Sequence, residues 1–180
     1  MVQPYSEYRE LVISEKRLRE RIASLGRQIS RDYAGRVVHC VGVLEDGFLF
    51  VADLVREITC DVRCQFVKPY AREFLDNQTA TKEIFYAPEV EVEGQHILLC
   101  EGILSTGQTT DFLIRNFQAR GAASIAVCGL LDRHFDRRVD IDVTYCGFLV
   151  GPQRLAGFGL GTPTLNRNLP YIYAVPGVCP

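Results

Sequence analysis

Apolar segments of strand length alternate with amphipathic helical patterns along most of this chain, and this alternation constrains the fold more than any other feature. The segments with strand character are residues 37–44, 61–67, 97–100, 124–131 and 143–150. The segments with helical periodicity are residues 14–32, 48–58 and a third that begins near Asp111 and ends near Gly121. Strands that alternate with helices are typical of βαβ units, in which the strands are parallel. The sequence therefore predicts an α/β fold with a mostly parallel sheet flanked by helices.

Two segments lack this alternation. Residues 68–84 are polar and have little periodicity, and we expect a loop that is disordered or acts as a lid, as structureless segments of this length usually do. From Gly151 onward, four glycines by residue 161 and several prolines indicate an irregular tail. This tail is expected to fold over one edge of the sheet.

Composition excludes several classes of function. The chain has 180 residues, 47% of them hydrophobic and 23% charged, which fits one domain with a substantial core. The net charge is −2 and no run of Lys or Arg forms a patch, so nucleic acid is not an expected partner. No apolar run approaches the roughly 20 residues that span a bilayer, and residues 1–21 lack the apolar stretch of a signal peptide. We therefore predict a cytoplasmic protein without membrane contact.

The seven cysteines are interpreted as reduced thiols rather than as disulfide partners or metal ligands. Four of them lie in or beside apolar strand-like runs, where a thiol behaves as a small hydrophobic group. These four are Cys40, Cys100, Cys128 and Cys146. Cys60 and Cys64 have CxxxC spacing, which matches no common zinc motif. The sequence therefore predicts buried or incidental thiols.

The most informative motif lies between residues 97 and 110. The apolar strand Ile97–Cys100 continues through Glu101 into the turn Ser105–Thr109, and a helical pattern follows. Unpaired backbone N–H groups, hydroxyls and the helix dipole converge at such a turn, which makes it suitable for binding a phosphate. An ordinary capped helix N-terminus is the competing interpretation, because Ser and Thr favour that position as well.

Together with several collinear stretches, this motif resembles the bacterial hypoxanthine-guanine phosphoribosyltransferases over nearly the full length of the chain. The supporting stretches are residues 13–15, 30–35, 42–44, 47–54, 120–122, 130–133, 147–148 and 167–171. The resemblance implies the type I phosphoribosyltransferase fold, with one domain over residues 1–180, a core over 16–150 and a small hood from 1–15 and 151–180. It also implies transfer of ribose 5-phosphate from phosphoribosyl pyrophosphate to a purine, with magnesium, by a homo-oligomer.

The resemblance also assigns roles to residues of this chain. The 5′-phosphate is expected at Ser105, Thr106, Gly107, Gln108 and Thr109. Glu101 is expected to accept hydrogen bonds from the ribose hydroxyls and to be a weak magnesium ligand, and Ser105 stands at the position of a catalytic acid. Pyrophosphate is expected at Leu44, Glu45, Asp46 and Arg167, and the purine base at Arg133, Arg154 and Leu155.

Several of these positions depart from the family pattern. Gly102 stands where a second acid is expected beside Glu101, and the hydroxyl of Ser105 does not titrate near neutrality as a carboxylate can. Glu45 and Asp46 stand in a turn where the family carries a lysine and a small residue, and two carboxylates that face a pyrophosphate would repel it unless metal ions intervene. The alternative is that both are solvated turn residues, since Asp is common in turns. These departures predict transfer that is strongly reduced or absent. The alternative is a catalytically silent purine-nucleotide-binding sensor or partner protein, and a vestigial scaffold is a third interpretation.

Overall fold

The computed structural model describes residues 10–76, 79–85, 90–161 and 165–175. Its helices are α1 (Glu15–Asp32), α2 (Phe48–Glu57) and α3 (Gln108–Ala119), and a short 3-10 helix covers His134–Asp136. Its strands are β1 (Glu10–Ile13), β2 (Val38–Val43), β3 (Val62–Val67), β4 (Tyr70–Asp76), β5 (Thr79–Phe85), β6 (His96–Leu104), β7 (Ser124–Asp132), β8 (Tyr145–Leu149), β9 (Leu155–Ala156) and β10 (Ile172–Ala174). No helix within the described ranges is long and apolar enough to cross a membrane.

Five parallel strands form the central sheet, in the order β3, β2, β6, β7, β8. All residues of β2 are buried, and so are all but two residues of β6. Strands that are covered on both faces have continuous apolar sequences rather than alternating ones. The apolar runs of the sequence therefore correspond to the inner strands, and the predicted parallel sheet is confirmed.

Helices cover both faces of this sheet. On one face, α1 and α2 pack through a core that includes Leu18, Leu54 and Leu98. On the other face, α3 packs through Leu113 and Phe117. Apolar residues at three- and four-residue spacing form one side of each helix, which is why the helical patterns could be identified in the sequence. The α/β class with flanking helices is confirmed.

Three of the four cysteines predicted to lie in apolar strands, Cys40, Cys100 and Cys128, are fully buried, and Cys146 is half-buried. The three buried thiols belong to the neighbouring strands β2, β6 and β7, and the sulfurs of Cys40 and Cys100 lie 3.6 Å apart. They pack in the core of the sheet as small hydrophobic groups.

The two ends of the chain meet in a small antiparallel sheet with the order β1, β10, β9. β1 lies directly before α1, whereas β9 and β10 belong to the tail after residue 151, so the hood is built from both ends as predicted. Among the described residues between these two strands, Phe158 and Asn166 have positive φ. Residues 1–9, 162–164 and 176–180 of the predicted hood lie outside the described residues.

The prediction of a loop without secondary structure over residues 68–84 is wrong. β4 and β5 pair as an antiparallel hairpin, from Tyr70 opposite Phe85 to Asp76 opposite Thr79. Residues 77 and 78, between the two strands, lie outside the described residues. The segment contains aromatic and β-branched residues that favour strands. Because the hairpin is not part of the central sheet, its sequence lacks the apolar run that marks the inner strands.

Candidate functional site

Three of the segments that contain predicted site residues begin at the carboxyl edge of the central sheet. The segments that follow β2, β6 and β7 begin at Leu44, Ser105 and Arg133. Because these three strands are parallel neighbours, their carboxyl ends share one edge, which is where ligands bind in open α/β sheets. Arg167 of the hood reaches the same edge and contacts the turn after β2.

The turn after β6 forms a helix N-terminus at this edge. Gly107 has a φ of 80°, which side chains rarely allow, and α3 begins at Gln108 rather than near Asp111 as predicted. The Asp111 N–H donates to the Gly107 carbonyl at 2.8 Å, which closes the first turn of the helix. The N–H groups that precede it at a helix start have no helical acceptor and can bind an anion. Thr106 and Thr109 are half-buried beside them, and Gln108 is exposed.

The chain after β7 closes over this turn. The N–H groups of Arg138 and Val139 donate to the Thr106 carbonyl at 3.0 and 3.3 Å. The Arg137 guanidinium donates through Nη1 to the Ser105 carbonyl at 2.8 Å. These bonds fix the conformation of the turn, so the donors of the helix start are held in place before any anion binds.

Glu101, in β6, is nearly buried, with 9% of its surface exposed. The Thr110 hydroxyl, from the first turn of α3, donates to Oε1 of Glu101 at 2.5 Å. Burial raises the pKa of Glu101 to about 7, although the Thr110 hydrogen bond and the charge of Arg137 act in the opposite direction. The negative charge of Asp46 adds to the raised pKa. The Glu101 carboxyl group is therefore partly protonated near neutral pH.

These surroundings fit a magnesium ligand poorly. Magnesium is usually held by one or two charged carboxylates together with substrate phosphates. Glu101 is buried and bonded to Thr110, and Gly102 contributes no carboxylate. Within the described part of the chain, no group of three or more His, Cys, Asp or Glu side chains is arranged to hold a metal ion. A magnesium ion at this edge would have to arrive with the phosphates of a ligand.

The raised pKa of Glu101 predicts a pH-dependent contribution to stability. Between the ordinary pKa of 4.5 and about 7, the folded protein keeps the Glu101 proton while the unfolded chain releases it. The free energy of unfolding therefore falls across this range, by up to roughly 3 kcal/mol, and stays level above it. Because glutamine does not titrate, Glu101→Gln should gain stability relative to the unmodified chain between pH 5 and pH 8, measured by urea unfolding. The same pH dependence in both proteins would contradict the raised pKa.

Gly102 is required by the packing of the turn after β2. A Cβ at this position would lie 2.2 Å from the carbonyl oxygen of Asp46 and 3.0 Å from the nitrogen of Gly47. Cβ atoms essentially never approach other atoms closer than 3.0 Å, so any side chain here would displace the turn. The missing second acid beside Glu101 is therefore coupled to the position of the acidic turn.

Arg167 neutralises this acidic turn. Its Nη1 donates to Oδ1 of Asp46 and to the Gly159 carbonyl, both at 2.5 Å, and its Nη2 lies 3.5 Å from Oε2 of Glu45. Nζ of Lys68 donates to Oε1 of Glu45 at 2.6 Å. The hydrogen bond and charge of Lys68, with a smaller effect of Arg167, hold the pKa of Glu45 below its usual range. The interpretation that both acids are merely solvated does not hold for Asp46, which is half-buried and paired.

Glycines of the hood allow Arg167 to reach the turn. Gly159 has a φ of 89°, and a Cβ there would lie 2.9 Å from the carbonyl oxygen of Asp46. A Cβ at Gly161 would lie 2.8 Å from Cγ of Arg167. Side chains at these two positions would hold the hood away from the sheet edge or push the arginine aside, so the close approach of hood and turn depends on glycine.

A second acid lies beside Ser105. The Ser105 hydroxyl donates to Oδ2 of Asp136, in the 3-10 helix, at 3.0 Å, and the same oxygen lies 3.7 Å from Nη1 of Arg133. Nη2 of Arg133 donates to the Gln153 carbonyl at 2.9 Å. Nε of Arg133 is buried and has no hydrogen-bond partner among the described residues. Such a donor costs about 1–3 kcal/mol when it is left unsatisfied, which makes it a candidate contact for a ligand oxygen.

Three residues of this site were missed by sequence reasoning. Asp136 and Arg137 contact Ser105 from the segment after β7, and Thr110 lies in the first turn of α3. One signal could have found the first two. That signal is the run of alternating charges directly after a buried parallel strand, because the ends of such strands lie at the edge where ligands bind. In the structure, Arg137 pairs with the buried Asp132 at 2.5 Å.

The two hood residues predicted at the purine base have different environments. Leu155 is buried in the core, and its backbone pairs with Ala174 in the hood sheet. Arg154 is exposed. The neighbouring Gln153 connects this segment to Arg133, so the hood borders the segment after β7. The roles of Leu155 and Arg154 toward a base remain predictions.

Known proteins with similar sequences and structures share one family. The family model described as "Phosphoribosyl transferase domain" matches residues 12–160. The "Bifunctional protein TilS/HprT" of Listeria monocytogenes is 31% identical over 168 residues, and the match spans 93% of this chain but only 26% of that protein. The "Hypoxanthine-guanine phosphoribosyltransferase" of Staphylococcus aureus is 29% identical over 168 residues, which are 93% of this chain and 94% of that enzyme.

Solved structures agree with the sequence matches. The crystal structure of a hypoxanthine-guanine phosphoribosyltransferase from Bacillus anthracis has a TM-score of 0.81 and 30% sequence identity to this chain. The match covers 93% of this chain and 98% of that structure. The likeness therefore includes the central sheet and the hood, and it is not restricted to a common motif.

Proposed function

The chain belongs to the phosphoribosyl transferase domain family, and from this premise we propose that it is a hypoxanthine-guanine phosphoribosyltransferase-like protein of purine salvage with strongly reduced activity. Its reaction is the transfer of ribose 5-phosphate from phosphoribosyl pyrophosphate to a purine. The observation that carries the reduced rate is the ion pair between Arg167 and Asp46. In this pair the Arg167 guanidinium is bound to Asp46, although a bound pyrophosphate would need it as a counter-charge.

A pyrophosphate at the turn after β2 would meet two carboxylates and an arginine that is already paired. The Arg167 side chain is only 18% exposed, and its nitrogens face Asp46, Glu45 and the Gly159 carbonyl. The positive charge of Arg167 is already balanced by Asp46, and that of Lys68 by Glu45, so a pyrophosphate would gain little attraction at this turn. This balance supports weak binding of pyrophosphate and of the substrate that carries it.

The other anion site of the same edge supports retained nucleotide binding. The donors at the start of α3 are held by the bonds of Arg138 and Val139 to Thr106. No carboxylate is bonded to this turn except through the Ser105 hydroxyl, among the residues described. The unsatisfied Nε of Arg133 is a suitable donor for the six-position oxygen of hypoxanthine or guanine. The proposed binding mode places the 5′-phosphate at residues 105–109 and the purine beside Arg133.

In the transfer reaction, positioning is the main contribution of this chain. The start of α3 would hold the phosphate, and Arg133 would orient the purine. Glu101 in its ionised form would accept a hydrogen bond from a ribose hydroxyl. Magnesium that arrives with phosphoribosyl pyrophosphate would neutralise charge on the leaving group. The hydroxyl of Ser105 is no substitute for a general acid or base on its own, and loss of such a group lowers rates by about 10²–10⁴.

Formation of IMP from hypoxanthine, phosphoribosyl pyrophosphate and magnesium tests this proposal. We expect a turnover number at least about a hundredfold below that of the Staphylococcus aureus relative assayed in parallel, by the contribution that an acid–base group makes. Titration calorimetry on the same preparation should detect binding of GMP. A turnover number equal to that of the relative would show that the paired arginine and Ser105 do not limit the reaction.

A catalytically silent protein that binds purine nucleotides is the second candidate function. The combination of a preorganised helix start with a neutralised Arg167 favours it, because these contacts affect the phosphate and the pyrophosphate differently. Binding of GMP without any IMP formation, at every concentration of phosphoribosyl pyrophosphate, would support this candidate over the first. Absence of both would refute both. Assembly as a homo-oligomer remains a prediction.

A further inference from the structure

The Asp136 carboxylate lies beside Ser105, which stands where the transfer reaction requires a proton acceptor. Its Oδ2 accepts a hydrogen bond from the Ser105 hydroxyl at 3.0 Å. Its side chain is 36% exposed, so it borders the open edge of the sheet and not the core. The contact joins two segments that follow neighbouring strands, β6 and β7.

A carboxylate beside residue 105 can accept a proton near neutral pH, which the serine hydroxyl cannot do. A purine that forms a bond through a ring nitrogen must lose a ring N–H proton. A serine hydroxyl by itself does not accept this proton near neutral pH. An aspartate at residue 105 would place its oxygens close to the present hydroxyl. The 3.0 Å hydrogen bond places an oxygen of Asp136 next to the same position, although it comes from the 3-10 helix.

The charged groups around Asp136 keep it available. Nη1 of Arg133 lies 3.7 Å from Oδ2, which is longer than a hydrogen bond, so this arginine does not occupy the carboxylate oxygen. Arg137, its neighbour in sequence, is directed elsewhere, with Nη2 on Asp132 at 2.5 Å and Nη1 on the Ser105 carbonyl at 2.8 Å. The Asp136 carboxylate is thus not engaged by this second arginine.

We propose that Asp136 is the proton acceptor of the transfer reaction and that the Ser105 hydroxyl relays the proton to it. This inference rests on the proposed function. As a purine ring nitrogen bonds to C1′ of the ribose, the bond from C1′ to the pyrophosphate oxygen breaks, and pyrophosphate leaves with the electron pair. The ring N–H proton passes to the Ser105 oxygen, and the hydroxyl proton of Ser105 passes to Oδ2 of Asp136.

The test compares the residual transfer rates of the unmodified chain and of Asp136→Asn. We expect kcat to fall at least tenfold while the KM for phosphoribosyl pyrophosphate stays within twofold, since the side-chain contacts described for Asp136 are to Ser105 and Arg133 and not to the turn after β2. Glu101, with a pKa of about 7, must also be ionised to bind the ribose, so the pH profiles are compared in a Glu101→Gln background. In that background the rate should still rise with pH on the acid side, and Asp136→Asn should abolish this rise. Asp136→Glu should keep part of the rate and the pH dependence. Asp140→Asn, an exposed acid on the same segment, is the control and should leave both unchanged.

The outcomes separate this proposal from the proposed function. Transfer that is unchanged in rate and pH profile in Asp136→Asn would overturn the role of Asp136 and leave the proposed function intact. A parallel rise in KM and fall in kcat, with the pH profile kept, would mark a merely structural role and also overturn it. Absence of IMP formation by the unmodified chain would overturn both. Thermal unfolding of each variant shows whether the fold is retained.

Discussion

Replacement of Asp46 by asparagine is expected to tighten the binding of magnesium pyrophosphate at least tenfold. Asparagine keeps the shape of the side chain and an oxygen that can accept from Arg167, but it removes the negative charge held 2.5 Å from Nη1. The guanidinium charge then becomes available to an anion, and the repulsion by Asp46 disappears. A tenfold change corresponds to about 1.4 kcal/mol, which is modest for a charge at a partly buried site. Titration calorimetry measures the affinity, and the KM for phosphoribosyl pyrophosphate should fall in parallel.

Two further variants control this experiment. Asp53→Asn removes the same charge from an exposed ion pair with Arg56 on α2, so its affinity for pyrophosphate should equal that of the unmodified chain. Arg167→Ala should not gain affinity, because the cation is lost together with its partner. If Asp46→Asn binds pyrophosphate no more tightly than the unmodified chain, then Asp46 does not limit the use of Arg167.

Replacement of Gly102 by alanine is expected to lower the free energy of unfolding by about 1–3 kcal/mol. The added Cβ would lie 2.2 Å from the Asp46 carbonyl oxygen, which is a backbone atom and cannot rotate away. The turn after β2 must therefore move. Gly102→Asp should destabilise the fold further, because it also introduces a carboxylate beside the buried Glu101. Restoring an acid at this position is thus not expected to restore transfer, even in combination with Ser105→Asp.

Urea unfolding measures these changes, and Gly151→Ala is the matched control. A Cβ at Gly151 would meet only the flexible side-chain amide of Gln153, so its effect should stay within about 0.5 kcal/mol. A Gly102→Ala variant as stable as the control would contradict the close packing of the turn. Gly102→Asp with normal stability and increased transfer would contradict the coupling between the missing acid and the acidic turn.

The fold could be predicted because its determinants are local in sequence. The buried strands β2 and β6 are apolar at nearly every position, and α1 buries Leu18, Ile22, Leu25 and Ile29 at spacings of three and four residues. The β4–β5 hairpin could not be identified in this way. It forms a two-stranded ribbon outside the central sheet, and its sequence lacks the continuous apolar run of the inner strands.

The position of the candidate site was predictable, but its contacts were not. Parallel strands place the residues after their carboxyl ends at one edge, so Ser105 and Arg133 could be expected near each other. Asp46 and Arg167 are 121 residues apart, and no local pattern in either segment specifies that they pair. Asp136 is 31 residues from Ser105 and is presented by a single 3-10 turn, which has no periodic signal.

The departures from the family pattern are not independent of one another. Gly102 packs against the backbone of Asp46, and the Asp46 side chain pairs with Arg167. Substitutions at residues in direct contact are generally not additive. A return of ordinary activity would therefore require several of these positions to change together, which explains why a single restored acid is a weak test of the site.

The most direct test is to titrate GMP and pyrophosphate into the unmodified chain in the same magnesium buffer. It shows whether the phosphate site has kept its affinity while the pyrophosphate site has lost it. We expect GMP to bind, and pyrophosphate to bind at least tenfold more weakly than it binds the Staphylococcus aureus relative measured beside it. Pyrophosphate binding as tight as in that relative would contradict the neutralisation of Arg167 by Asp46.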